Sequence, residues 1–435
     1  MLWFICFFNY ADRQAISAVF PELEREFGFN KEQLGLIGSA FMWVYAGSAL
    51  FAGVICDRFN RKHLILGGCL FWSFATVLTG FCSKLWHFVT VRALEGFGET
   101  FYFPASMSLL SDYHNRRTRS RALAFHQSSV YFGTILGSWL GALLAMHFGW
   151  RTGFYLFGSL GILLAIVLYT FLREPVRGES ERGEEQGNHS DTHVIDSADD
   201  SLSSRLSVRE TFKVIFKSPT ITLLMLAFAG ANAVAAVFLV WTPTFLKDKF
   251  HYDLATAGLG ATVFIHTASA ISVPFAGWLA DRLSSRYHSG RILVQACGLI
   301  FGAIFVFLVG RTASHMTLIL SMTLFGVCKG FYDSGIFASL FDNIEPRARG
   351  TAAGIMNTVG WGGGGFGPWF VGWISERGSR PHKIDNMSDA ISWGGALYLI
   401  AAALLIAAII CARKGRSDSS FRSSSAENRP ANPQA

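Results

Sequence analysis

The chain has 435 residues, 51% of them hydrophobic and only 15% charged, with 40 Phe. That balance excludes an ordinary soluble domain, in which about a quarter of the residues are charged. The net charge of +7 does not point to nucleic acid, because the basic residues crowd into short loops between apolar runs, where they read as a topology signal.

The apolar residues fall into twelve runs of about 20, the length at which a helix crosses ~30 Å of hydrocarbon. They span 2–21, 34–56, 64–82, 85–111, 122–146, 153–172, 219–246, 254–280, 292–310, 316–342, 350–374 and 391–411. Lipid offers the backbone no hydrogen-bond partner, so each run is expected to be a helix. The predicted class is an all-α membrane protein with twelve transmembrane helices in a lipid bilayer. The seven cysteines lie scattered in or at the ends of these runs, with neither a disulfide framework nor metal-ligand spacing. No metal or cofactor is expected.

The first run carries Asp12 and Arg13 and lacks a small-residue cleavage site, so it does not read as a cleavable signal peptide. Asp12 lies ten residues in, roughly 15 Å at 1.5 Å per residue, which is about the bilayer midplane. Each buried charge costs ~3 kcal/mol even on the lenient insertion scale, so such residues are expected to face the bundle interior. The loop that follows, "ELEREFGFNKE", is net acidic. The loops after the second, fourth, eighth and tenth runs, and the segment after the twelfth, are basic: Arg58, Arg61 and Lys62, then Arg116, Arg117, Arg119 and Arg121, then Arg282, Arg286 and Arg291, then Arg347 and Arg349, then Arg413, Lys414 and Arg416. Under the positive-inside rule both termini are cytoplasmic.

The fourth run adds "VRALEGFGETFYFPA", with Arg92, Glu95 and Glu99. Arg92 and Glu99, seven apart, share one helix face about two turns, ~10 Å, from each other, and Glu95 lies one turn from each. Asp12, Arg92 and Glu99 are candidates for a proton-carrying network; the plainer alternative is a structural ion pair locking spans 1 and 4. In the fifth run Gly133, Gly137 and Gly141 stand four apart, as in close helix packing. His126 and His266 fit ordinary interior hydrogen bonding. In the eleventh run, Gly362 to Gly365 before Gly367 and Pro368 mark a bendable helix rather than a phosphate cradle, since no strand precedes them.

Residues 174–218, rich in Ser, Asp, Glu and Gly, read as a disordered cytoplasmic linker between six spans (1–173) and six more (219–413), and 414–435 as a disordered tail. The halves repeat. "FAGVICDR" at 51–58 recurs as "FAGWLADR" at 275–282. A second match, at a shift of 230 residues, pairs Gly96 with Gly326, Tyr102 with Tyr332, Asp112 with Asp342 and Gly133 with Gly363. Two pseudo-symmetric six-helix bundles are therefore expected, with a substrate path between them and alternating access by rocking.

"GVICDRFNRK", Gly53 to Lys62, matches the G-x-x-x-D-R-x-x-R-K signature between spans 2 and 3 of the major facilitator superfamily, and Gly277 to Arg286 is a degenerate second copy. The chain resembles that superfamily over all but linker and tail. The resemblance implies a cytoplasmic gate at Gly53, Asp57, Arg58, Arg61, Lys62, Gly277, Asp281, Arg282 and Arg286. There Asp57 would pair with basic residues and helix N-termini while that side is shut; the plainer reading is topology charge.

"NYADR" followed by "RALEGFGETFYFP" resembles the organic anion–cation symporter family. Spinster-like lipid transporters share both motifs, but "RGTAAGIMNTVGWGGGGFGP" looks much more like the anion symporters. The resemblance implies that Asp12 and Glu99 bind protons, that Arg92 tunes Glu99, and that Arg13 and Tyr45 face the substrate. Two cavity positions depart from the family: Val130 stands where many members have Gln, with Gln127 one turn earlier, and Trp361 replaces an Asn four residues beyond Asn357. Lys329 aligns with Glu99 across the repeat and adds a cation, or snorkels to water.

The function expected is proton-coupled symport of a small organic anion, a carboxylate or sugar acid, by a monomer in the plasma membrane, the inner membrane of a bacterium. No nucleophile–base pair appears, so no enzyme is expected. The alternatives are a spinster-like exporter of lysolipid or another amphiphile, a drug–proton antiporter, and a non-transporting receptor or scaffold.

Overall fold

The structure, a computed structural model, describes residues 1–114, 118–175, 208–287, 289–345 and 348–427; at positions 53, 54, 57, 120, 208, 209, 211, 214 and 414–427 it describes the backbone alone. Among the described residues all regular structure is helical. α1 (Leu2–Ala18) runs through Val19 into the short α2 (Phe20–Phe27), which ends on Gly28 at φ +67°. α3 (Lys31–Arg58) starts at a capping box in which the Asn30 side chain accepts from the Gln33 amide and Gln33 reaches back to the Asn30 amide. α4 (Arg61–Thr79), α5 (Leu85–Thr100), α6 (Tyr102–Tyr113), α7 (Arg119–Phe148) and α8 (Trp150–Phe171) complete the first half. The second half holds α9 (Val208–Lys217), α10 (Pro219–Phe250), α11 (Leu254–Ser284), α12 (Gly290–Arg311), α13 (His315–Asp333), α14 (Ile336–Asp342), α15 (Arg349–Arg377) and α16 (Lys383–Glu427).

Eight of these helices are long and apolar enough to cross a membrane on their own: α3, α4, α7, α8, α10, α11, α12 and α16. The other four crossings carry the unusual features of the sequence. α1 has 17 residues and two charges, and α15 is diluted by its glycine run. The fourth and tenth runs, expected as single helices over 85–111 and 316–342, are each divided in two. The first break has a cause in Pro104, which has no amide proton to give the carbonyl of Thr100. The second falls at Ser334–Gly335.

The linker expectation lies largely on residues 176–207, outside the described ones. Its end departs from that expectation, because α9 is helical. α9 buries Ile215 and stacks Phe212 on Phe216, and an apolar anchor of that kind offsets the ordering entropy. The α16 backbone likewise stays helical to Glu427, past the expected start of the tail at 414, and residues 428–435 lie outside the described ones.

The two halves are pseudo-symmetric bundles of six crossings. The first packs α1 on α7, α3 on α5 and α4 on α8; the second packs α10 on α15, α11 on α13 and α12 on α16, the same three pairings between equivalent spans. The bundles meet chiefly where α3 packs on α15 and α7 on α11, and α1 also touches α10 and α11. The glycine stripe of α7 does what its spacing predicts. Gly133, Gly137 and Gly141 abut Phe7, Ala11 and Ala15 of α1, and a Cβ at Gly137 would stand 2.3 Å from the Cα of Ala11.

Gly137→Val should therefore force α1 off α7 and cost about 1–3 kcal/mol. Thermal unfolding in detergent measures it, and an unchanged transition would show that the two helices are not held at backbone contact.

Candidate functional site

α1 carries the centre of the site. Asp12 and Arg13 are neighbours in sequence, so about 100° of helical rotation separates their side chains. Asp12 is buried toward α4, where the Thr76 hydroxyl donates to its Oδ2 at 3.4 Å and its Oδ1 has no partner. Arg13 turns to α5. Its Nε donates to Oε2 of Glu99 at 3.1 Å, and its Nη2 donates to the same oxygen. The Arg13 side chain is only 10% exposed, and its Nη1 is buried without a partner, as is Oε1 of Glu99. One carboxylate oxygen thus holds a guanidinium that has a further donor free.

Aromatic rings enclose this guanidinium. Its carbon lies 4.6 Å from the ring centres of Tyr10 and Phe41, 5.2 Å from Trp361 and 5.5 Å from Tyr45. The faces of such rings attract a cation, more strongly where water is excluded. Phe41 serves twice, because the Arg92 guanidinium sits 4.7 Å from its centre. Trp361 comes from α15 in the second bundle and meets Tyr45 of α3 with ring centres 5.1 Å apart. Arg13 therefore lies where the bundles face each other.

Arg92 does not join Glu99. It pairs with Glu95 one turn away, and the Thr79 hydroxyl donates to the other Glu95 oxygen at 3.2 Å. The sequence placed Arg92 and Glu99 on one face, but two turns is too far for direct contact when Glu95 stands between. The network expected of Asp12, Arg92 and Glu99 is thus two separate ion pairs, Arg13–Glu99 and Arg92–Glu95, with Asp12 beside them on Thr76.

The remaining candidates spread out. Lys329 on α13 pairs with Asp333 one turn on, and lines a small cavity with His266, Phe238 and Phe325. Asn357 is half-buried on α15, one turn before Trp361. Gln127 is exposed on α7, and no described contact joins it or Lys329 to Arg13. Sequence reasoning missed Tyr10 and Phe41, although helical spacing carried the signal: Tyr10 is one turn from Arg13, and Phe41 one turn from Tyr45.

Of the gate candidates, the side chains of Gly53 and Asp57 lie outside the described ones, as do Arg116, Arg117 and Arg347 of the basic loops. Arg58 and Arg286 are exposed. Arg61 is fully buried, bound by Asp112, by Glu174 at 2.8 Å, by Ser108 and by the Pro175 carbonyl. Lys62 donates its amide to Glu174 and sets its ammonium 5.0 Å from the Tyr169 ring. In the second bundle the guanidinium that meets Asp281 is that of Arg291, at 2.8 Å, and Arg291 also binds Asp342. Arg282 lies over Trp278, and Gly277 has open space around its Cβ position.

The described hydrogen bonds and ion pairs between bundles cluster on the face opposite the termini. There Lys31 joins Glu24 of its own bundle to Asp248 of the other, Arg377 meets Glu32 at 3.0 Å, and Lys247 meets Glu22 at 3.4 Å. α3 and α15 stay in contact from Gly35 on Pro368 to Trp43 on Gly365. Nearer the termini, Gly47, Gly350 and Gly354 have nothing within 4 Å of a Cβ position. Among the described residues the contacts between the bundles gather toward the far face.

The family model of the major facilitator superfamily matches residues 2–286 and 245–434. Among curated proteins, the chain is 29% identical over 384 residues to a probable chloroplastic anion transporter 4 of Oryza sativa subsp. japonica, covering 86% of this chain and 64% of that protein. It is 26% identical over 403 residues to a probable L-galactonate transporter of Escherichia coli (strain K12), covering 92% and 87%. Among solved structures, a bacterial homolog of the human lysosomal transporter Spinster, inward-facing and unoccupied, superposes with a TM-score of 0.73 at 19% identity over 95% of each chain.

The ion pairing has its own test. Arg92→Gln should cost about 3–5 kcal/mol, because it leaves Glu95 buried without its cation. Arg92→Gln with Glu95→Gln should recover much of that loss in the same unfolding measurement. Losses that simply add would mean that the two side chains do not act as a pair.

Proposed function

The chain belongs to the major facilitator superfamily, a family of membrane transporters rather than enzymes, and from that premise we propose that it moves a small organic anion across a membrane by alternating access, coupled to protons. The observation that carries this reading is Arg13, a buried cation between the bundles with one carboxylate oxygen for a partner and an unused Nη1 donor. The relatives named as anion and L-galactonate transporters support the same substrate class.

The coupling follows from competition. Glu99 and an incoming carboxylate want the same guanidinium, and two such groups cannot share it without an excess of buried negative charge. A proton on Glu99 neutralises it and frees Arg13 for the anion. By linkage, a bound anion favours the protonated Glu99 to the same extent. Asp12, with one oxygen unpartnered and Thr76 on the other, is a second proton carrier in this scheme. Arg92 holds Glu95 and thereby keeps a further negative charge from Glu99. Tyr45 and Trp361 line the anion's path, with Gln127, Asn357 and Lys329 as outer contacts. The domain units are the bundles at 1–173 and 219–413, with the linker 174–218 and the tail 414–435. The positions around Asp57 and Asp281 act as the gate of the terminal side. The mode is symport by a monomer, in a bacterial inner membrane with both termini cytoplasmic; the face that carries the ion pairs between the bundles then lies on the opposite side.

Two measurements on proteoliposomes and purified protein test this. Glu99→Gln should abolish accumulation driven by an imposed pH gradient while sparing exchange of substrate for substrate, since a permanently neutral residue mimics the protonated one. Accumulation that survives intact would remove Glu99 from coupling. Arg13→Gln should weaken binding of a carboxylate by roughly ten- to a hundredfold, the worth of a charged hydrogen bond at ~1.5–3 kcal/mol. Arg13→Lys should restore only part, because a point charge cannot replace a planar fork. Equal affinities in wild type and Arg13→Gln would sink the anion reading.

A further inference from the structure

We infer that the anion is carried on a flat, largely apolar body, an aromatic carboxylic acid rather than a polyhydroxylated sugar acid, and that Trp361 selects it; the inference rests on the anion reading of Arg13. Nη1 of Arg13 is buried and unpartnered on a side chain 10% exposed, so it marks a place for an acceptor oxygen. Four ring centres lie within 5.5 Å of that guanidinium, those of Tyr10, Phe41, Tyr45 and Trp361. A carboxylate that reaches Nη1 carries its body in among aromatic surfaces.

A polyol body fits such walls badly. Every hydroxyl that leaves water needs a partner, and a ring face supplies none of the strength of an amide or carboxylate. The four rings carry three polar groups among them, the Tyr10 and Tyr45 hydroxyls and the Trp361 indole N–H, fewer than the hydroxyls of a six-carbon sugar acid. The amide-bearing Gln127 is exposed rather than turned into the cluster, and Val130, one turn along the same helix, is apolar. A planar ring gains in the same place, by stacking offset or edge-on against Trp361 and Tyr45. Those two rings belong to opposite bundles and already touch, with centres 5.1 Å apart and planes tilted by 53°, so a flat body laid across both touches the two halves at once. That is the geometry a carrier needs if its substrate is to change how the halves sit.

The probes are benzoate and gluconate, each a single carboxylate, measured by equilibrium binding to the purified full chain. Wild type should bind benzoate at least about tenfold more tightly than gluconate, the scale of one or two aromatic contacts. Trp361→Asn should reduce that ratio about tenfold or reverse it, while Trp361→Phe, which keeps a ring and guards against a merely misfolded variant, should preserve it. Gluconate binding as tightly as benzoate, or a ratio unmoved by Trp361→Asn in a protein that elutes as wild type, overturns the inference. If gluconate alone binds and Arg13→Gln abolishes it, the anion reading stands and only the aromatic body is wrong. If neither carboxylate binds and Arg13→Gln changes nothing, both fall together.

Discussion

The pair Arg13–Glu99 is the interaction on which the site depends. A guanidinium at the middle of a membrane is tolerable only with a compensating charge and satisfied donors, and here the compensation is a single carboxylate oxygen. The rings of Tyr10, Phe41, Tyr45 and Trp361 supply the rest, through quadrupoles rather than full charges. This leaves the cation held but not saturated. A saturated arginine, such as Arg61 with its two carboxylates, serine and carbonyl, has nothing to offer a ligand. Phe41 also explains why two ion pairs coexist so closely. Its ring takes Arg13 at 4.6 Å and Arg92 at 4.7 Å, so one apolar side chain is a shared neighbour of both cations.

The same helix that bears Arg13 is held from both sides. Along its outer face α1 is pressed on α7 by the glycine stripe, with Gly137 at backbone contact with Ala11. Toward the other bundle, Gln14 donates to the Leu239 carbonyl of α10 at 2.5 Å and Arg13 meets Trp361. Arg13 therefore sits on a helix that touches both bundles. The far face carries the Arg377–Glu32 pair, partly exposed and individually weak, and Lys31, whose buried ammonium is held between Glu24 and Asp248.

Much of this was legible in the sequence, and the parts that were not share a cause. Length and hydropathy placed twelve crossings, because the lipid constraint acts on each run separately. The stripe of Gly133, Gly137 and Gly141 announced a close helix contact, since glycine spacing is local information. Charge placement singled out Asp12, Arg13, Glu95 and Glu99 for the same reason. The choice of partners was not local. Whether Arg92 takes Glu95 or Glu99, and whether Arg13 turns toward Asp12 or α5, depends on how neighbouring helices are rotated. The breaks at Phe101 and at Ser334–Gly335 sit inside runs that hydropathy reads as continuous. The basic residue that answers Asp281 lies outside the repeated motif, since the fold brings up Arg291 from the start of the next helix.

That last pairing exposes how the repeat is built. Arg61 pairs with Asp112 and Arg291 with Asp342, in each case 51 residues apart, and the two pairs are related by the 230-residue shift that aligns the halves. Each pair ties the start of its bundle's third span to the end of its fourth, within one bundle. Such ties stiffen a bundle without joining it to the other, which is what rocking of rigid halves requires. The copies are not equal. Arg61 is fully buried and takes in Glu174 as well, so breaking it would strand a charge at a cost of about 3–5 kcal/mol. Arg291 is 26% exposed beside Asp281, where water screens the interaction. Glu174 and Pro175 follow the last helix of the first bundle, so the stronger tie fastens the point from which the chain departs for the second. The tie of the first bundle, which also holds Arg13 and Glu99, is thereby the stronger of the two.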